Sequence, residues 1–159
     1  MIQRMQSILL VCIGVMLIVA PFIPNWKKEH GNQTIVQTGI SIQWKKTEGG
    51  ELKIVKSEPR YYILITCLLS AGMSFFSILS YKNRKLQMVI GALNSLVIVT
   101  TLGLMLYKVQ APQSWIMEGE PGRYQLGLFL PMIAIMMNII SNRLIRRDER
   151  LVRSMDRIR

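Results

Sequence analysis

Residues 86–107 carry no charged side chain. As an α-helix rising ~1.5 Å per residue they measure roughly 33 Å, enough to cross the ~30 Å hydrocarbon core of a bilayer. The stretch is apolar nearly all round, unlike a helix on the surface of a water-soluble protein. Residues 7–23, 61–80 and 124–141 have the same character. Half of the 159 residues are hydrophobic, and they fall in blocks rather than at strand or helix period. The expectation is an all-α membrane protein: one membrane domain, residues 1–159, folded as an up-down bundle of four transmembrane helices.

The first block resembles the apolar region of a signal peptide. No small-residue cleavage site follows it, and Pro21 comes directly after Ala20. A retained first helix is therefore expected, ended by Pro21 and Pro24, which cannot donate helical hydrogen bonds. Trp26 then fits an interfacial aromatic belt. Residues 25–60 form the largest polar segment. Residues 34–44 are rich in β-branched side chains, residues 48–51 carry a turn signal, and residues 52–56 resemble a second strand. This predicts a small extracytoplasmic β-hairpin loop. It would either close two helices as a scaffold, the favoured reading, or offer an edge to a partner strand.

Residues 81–85 are too short to permit anything but antiparallel neighbours on either side. Residues 108–123 hold Pro112, Trp115, Pro121 and Gly122, the chemistry of a loop. Pro131 is expected to kink or loosen the start of the fourth span. Orientation follows from lysine and arginine. With the N-terminus inside, the inner segments hold eleven basic and three acidic residues, a net +8. The outer ones hold nine and six, a net +3, which together make the chain's +11. The basic residues inside are also the more densely packed. Both termini are placed in the cytoplasm. The charge is assigned to orientation and to anionic lipid headgroups, and nucleic acid is an unlikely partner.

None of the four spans contains an ionisable residue of the kind that marks a membrane active site. There is no membrane carboxylate of the small multidrug transporter type. Nor is there a C-x-x-C pair, an H-E-x-x-H, a G-x-S-x-G or a P-loop. Cys12 and Cys67 enter from opposite sides and sit at depths too different for a bridge. His30 reads as a solvated loop residue. No metal, haem or other cofactor is implied, and no catalytic residue is assigned. The polar residues within the spans are small and neutral. Ser70 and Ser74, and likewise Gly91 and Ser95, are four apart and let helices approach closely. Ser74 and Asn94 fall at one depth, as do Ser77 and Asn138. Interhelical hydrogen bonding through Ser70, Ser74, Gly91, Asn94 and Asn138 is the expected role.

Residues 142–159 read as a C-terminal amphipathic cytoplasmic helix, with Leu144, Leu151, Met155 and Ile158 on a narrow apolar stripe. Residues 1–6, 81–87 and 142–159 together resemble the domain of unknown function 4293 family, small four-span inner-membrane proteins of Bacteroidota. The resemblance runs over the whole chain and is most specific in the tail. It implies a bacterial inner-membrane location and offers no catalytic residues. All three stretches lie on the face that charge places in the cytoplasm. The expected function is a non-enzymatic accessory or scaffold subunit acting through Arg4, Lys82, Arg84, Lys85, Arg143, Arg146, Arg147, Arg150, Arg153 and Arg157. They would meet anionic membrane lipid headgroups or a membrane or cytoplasmic protein partner. The alternative is a small transporter or channel formed by oligomerisation.

Overall fold

The structure, a computed structural model, describes residues 2–48, 51–81, 83–116 and 122–156. Side chains are described within these except at 2–4, 30, 48, 51, 108–116 and 152–156. Four helices, α1 (Ile2–Val19), α2 (Tyr61–Leu79), α3 (Arg84–Ile116) and α4 (Leu126–Asp156), pack in a closed ring. Each contacts its neighbours in sequence, and α4 closes against α1. Every one contains a segment long and apolar enough to cross a membrane. Leu69, Phe76, Leu96, Met136 and Ile140 stand exposed on the outside of the ring. Such a surface is far larger than a water-soluble monomer presents, and the pattern is that of a membrane protein.

The interior seams follow spacings of three and four, the knobs-into-holes period of near-parallel helices. On α1 the buried positions include Gln6, Leu10, Ile13 and Leu17. On α3 they include Gln87, Gly91, Asn94, Ile98, Thr101 and Met105. On α4 they include Ala134, Asn138, Ser141 and Ile145. The α2–α3 turn is set locally. Ser80 N–H and Oγ both donate to the Phe76 carbonyl, closing α2. Asn83 Oδ1 accepts from Leu86 N–H at 3.2 Å, the side-chain cap that starts α3.

The rest of the chain is not a small hairpin, and the fold is not all-α. Five antiparallel strands form one sheet in the order β4-β3-β2-β1-β5: β1 Trp26–His30, β2 Gln33–Gln37, β3 Ser41–Glu48, β4 Glu51–Pro59 and β5 Arg123–Tyr124. The expected strand over 34–44 is two strands. Thr38 breaks it: its Oγ1 accepts from Ser41 N–H at 3.0 Å and donates to the Ser41 carbonyl, folding a four-residue turn. Strand β1 was hidden by its charges, Lys27, Lys28 and Glu29. Gly31, with φ 55°, supplies the positive φ that its tight turn into β2 requires. Trp26 belongs to no aromatic belt. It is buried in the sheet's own core with Ile35 and Ile42, and Gly122 lies against its ring so closely that no Cβ would fit.

The sheet covers one end of the helical ring and is joined to it by backbone. Gly39 N–H donates to the Pro21 carbonyl, Gln125 N–H to Asn25 and Gly127 N–H to Pro24, all at 2.9–3.0 Å. Gln37 Nε2 reaches the Met105 carbonyl on α3 at 3.3 Å. Two helices also differ in extent from the sequence reading. Helix α3 runs on past 107 through Pro112 to Ile116, where loop had been expected. Helix α4 begins at Leu126, because Arg123 and Tyr124 pair with β1, and it continues unbroken through Pro131 into the tail.

Candidate functional site

The helical interior changes character along its length. Near the sheet it is apolar: Ile63, Cys67, Met105 and Leu128 form one cluster. Leu10, Ile13, Leu17, Ala71, Ile98 and Ala134 form the next. Toward the α2–α3 turn the same seams become polar. Ser70 Oγ donates to Asn94 Oδ1, and Asn94 Nδ2 donates to Ser74 Oγ at 2.9 Å, tying α2 to α3. Asn138 Nδ2 donates to the Gly91 carbonyl and to Ser95 Oγ, both at 2.8 Å, tying α4 to α3. Ser74 Oγ and Ser95 Oγ also donate back to the Ser70 and Gly91 carbonyls, both at 3.1 Å, and buried bonds of this kind between helices fix their register. Ser77 and Asn138 do not bond to each other. Ser77 Oγ is buried without a partner. Gly91 has a second reason to be glycine: a Cβ there would lie 1.9 Å from Asn142 Oδ1.

Beyond this network, at the end of the ring opposite the sheet, lies a cavity of about 440 Å³ between α1, the α2–α3 turn and α4. Gln6 and Gln87 line it and are only 4% and 5% exposed. Arg84 and Asp148 face each other across it at 3.0 Å, with side chains 20% and 17% exposed. Arg84 is therefore turned inward, toward Asp148, instead of standing exposed like Arg143, Arg146, Arg147 and Arg150. Sequence reasoning missed Asp148 and Gln6. The signal was the α4 seam itself, which extends from Asn138, Ser141 and Ile145 to Asp148. The apolar stripe through Leu144 and Leu151 is separate from this buried seam: Ile145 is buried and Leu151 is exposed.

Arg143, Arg146, Arg147 and Arg150 occupy the opposite face of α4, where helical geometry groups them. All four are exposed, and with Leu151 they line a shallow groove of about 500 Å³. Lys85 is exposed at the start of α3, at the same end. Lys82 and Arg157, and the side chains of Arg4 and Arg153, lie outside the described residues. At the sheet end the charges are arranged differently. Lys27 hydrogen-bonds Glu29 and holds its carboxyl below the usual range. Burial lowers the pKa of the Arg60 guanidinium beneath the sheet, partly offset by Tyr62 and Glu58. The two cysteines are free thiols.

The sequence matches the family described as domain of unknown function (DUF4293) over residues 2–158. The chain belongs to that family. No curated protein matches it, so the DUF4293 assignment brings no activity, and the chemistry rests on the geometry above.

Proposed function

We propose that this DUF4293 protein is a non-enzymatic accessory or scaffold subunit of a bacterial inner membrane. Its sheet lies outside, both termini lie in the cytoplasm, and it works through the arginine face of α4. The carrying observation is the groove formed by Arg143, Arg146, Arg147 and Arg150. Four guanidinium groups around one concavity attract carboxylates or phosphates and bind them bidentately. Each contributes roughly 1 kcal/mol near an anionic surface. Anionic lipid headgroups and an acidic segment of a membrane or cytoplasmic protein are the ligands this chemistry fits. The alternative, an oligomeric transporter or channel, has to pass solute around the apolar seam of Leu17, Ile13, Ile98 and Ala134 in each copy.

The test replaces Arg143, Arg146, Arg147 and Arg150 with Gln in the full chain. Insertion and melting are expected to stay near wild type, because the apolar spans drive them. Retention of anionic lipid and of co-purifying protein is expected to fall at least tenfold, and more steeply at low salt. Undiminished retention by the variant refutes the arginine-face reading. Solute flux in proteoliposomes establishes the alternative instead.

A further inference from the structure

The cavity on the other side of α4 is chemically unlike the arginine groove. Among the described residues that line it, the charged pair is Arg84 and Asp148, 3.0 Å apart, one cation balanced by one anion. It also holds two almost fully buried amides. One of them, Gln6, has an Nε2 donor with no hydrogen-bond partner, and a buried donor without an acceptor is costly to a fold. Ile145 forms an apolar wall, and Ile8, more than half exposed, continues from the rim onto the outer surface of α1. At about 440 Å³ the cavity falls within the ~300–1,000 Å³ of small-molecule sites.

A ligand that satisfies all of this carries an anion and a hydrogen-bonding cation a few bonds apart, joined to an apolar tail. We infer that the cavity binds the phosphoethanolamine headgroup of a membrane phospholipid. The phosphate takes Arg84 and the unpaired Gln6 Nε2 donor, and the primary ammonium takes Asp148. The acyl chains leave over Ile8 along α1. A choline headgroup has no N–H to give Asp148. A glycerol headgroup has no cation to give it and leaves its carboxylate opposed to the phosphate. The inference concerns a site separate from the arginine groove and stands or falls independently of it.

Native mass spectrometry of the full chain tests this, using equimolar phosphatidylethanolamine, phosphatidylcholine and phosphatidylglycerol with identical acyl chains. Wild type is expected to retain one phosphatidylethanolamine about tenfold better than phosphatidylcholine, the scale of one charged hydrogen bond. Asp148→Asn is expected to abolish that preference while still holding phosphate. Gln6→Met is expected to weaken all three lipids several-fold, keep their order, and leave the lipid-free protein at least as stable, since it removes an unsatisfied donor. Gln6→Met thus reports on the site even where Asp148→Asn fails to fold. Equal retention of the ethanolamine and choline lipids by wild type overturns the inference, as does an intact preference in folded Asp148→Asn. Soluble O-phosphoethanolamine is run as a competitor. Weak competition, far below the lipid's affinity, supports a lipid ligand. Binding as tight as the lipid's identifies a free zwitterion and overturns the lipid assignment.

Discussion

The two ends of the helical ring are held by different means. At the sheet end the joining is chiefly backbone to backbone, Gly39 against Pro21, Gly127 against Pro24, Gln125 against Asn25, with the Gln37 side chain on the Met105 carbonyl beside them. Behind those contacts lies an apolar interior. At the far end, side chains do the joining, through Asn94, Asn138 and the Arg84–Asp148 pair, and they leave a cavity. Backbone contacts have no rotamers with which to adapt, whereas side-chain contacts can rearrange. One end is thus built as a seal and the other as a surface that can accept a ligand.

Glycine substitutions probe this difference most strongly. A Cβ on Gly127 lies 2.4 Å from the Ile23 carbonyl oxygen, and backbone cannot swing aside. Gly127→Ala is expected to cost about 3 kcal/mol, the upper part of the overpacking range. It should loosen the sheet from the helices, seen as faster hydrogen exchange at Asn25 and Gly39. At the other end, the nearest atoms that Gly91→Ala meets belong to the Asn142 side chain. A smaller loss of about 1–2 kcal/mol is expected, and Asn142→Ala should recover most of it in a double-mutant cycle. Equal and unrecoverable losses at both glycines erase the distinction.

Hydrogen bonds come next in size. Asn94→Leu removes both links from α3 to α2, and a loss of about 0.6–1.7 kcal/mol is expected, the range for bonds within membranes. Ser74→Ala on top of it should add little. Full additivity in a reversible unfolding assay means the pair does not cooperate.

Surface charge at the sheet end is the smallest effect. The Glu29 carboxyl is held below its ordinary value of 4.5, first by its hydrogen bond to Lys27 and then by that residue's charge. A depressed folded value means the stabilisation is complete above the unfolded pKa and is lost as pH falls through the folded one. An NMR titration should place the Glu29 midpoint below 4.5, and Lys27→Met should return it upward. Because the pair is exposed, salt should shrink the shift.

The spans were legible because each is one uninterrupted apolar block, and no other signal competes with that in a sequence. The sheet was not, for reasons of period and charge. Lys27, Lys28 and Glu29 mask β1 as a polar loop, although Gly31-Asn32 is a two-residue hairpin turn by composition. Residues 34–44 keep alternating through the turn that Thr38 forms, so two strands read as one. Strand β5 is a two-residue pairing across nearly a hundred residues of sequence, and nothing local announces it. The packing residues Ser70, Ser74, Gly91, Asn94 and Asn138 could be picked out as small polar groups inside apolar spans. Asp148 could not, because among the tail's charges it looked like one more surface residue. Only the seam running down α4 marks it as interior.

Sidedness tests the account most directly, since it requires the sheet and the arginine face to lie on opposite sides of a membrane, the arginines within. Single cysteines are placed at Val55, an exposed residue of β4, and at Arg150, with Cys12 and Cys67 replaced by Ala. A membrane-impermeant maleimide is applied to spheroplasts before and after lysis. Position 55 should label before lysis, and position 150 only afterwards. Labelling of 150 and not 55 in intact spheroplasts would mean that the orientation is reversed and the arginine face does not work in the cytoplasm. Labelling of both before lysis would mean that the helices do not carry the chain across in this arrangement at all.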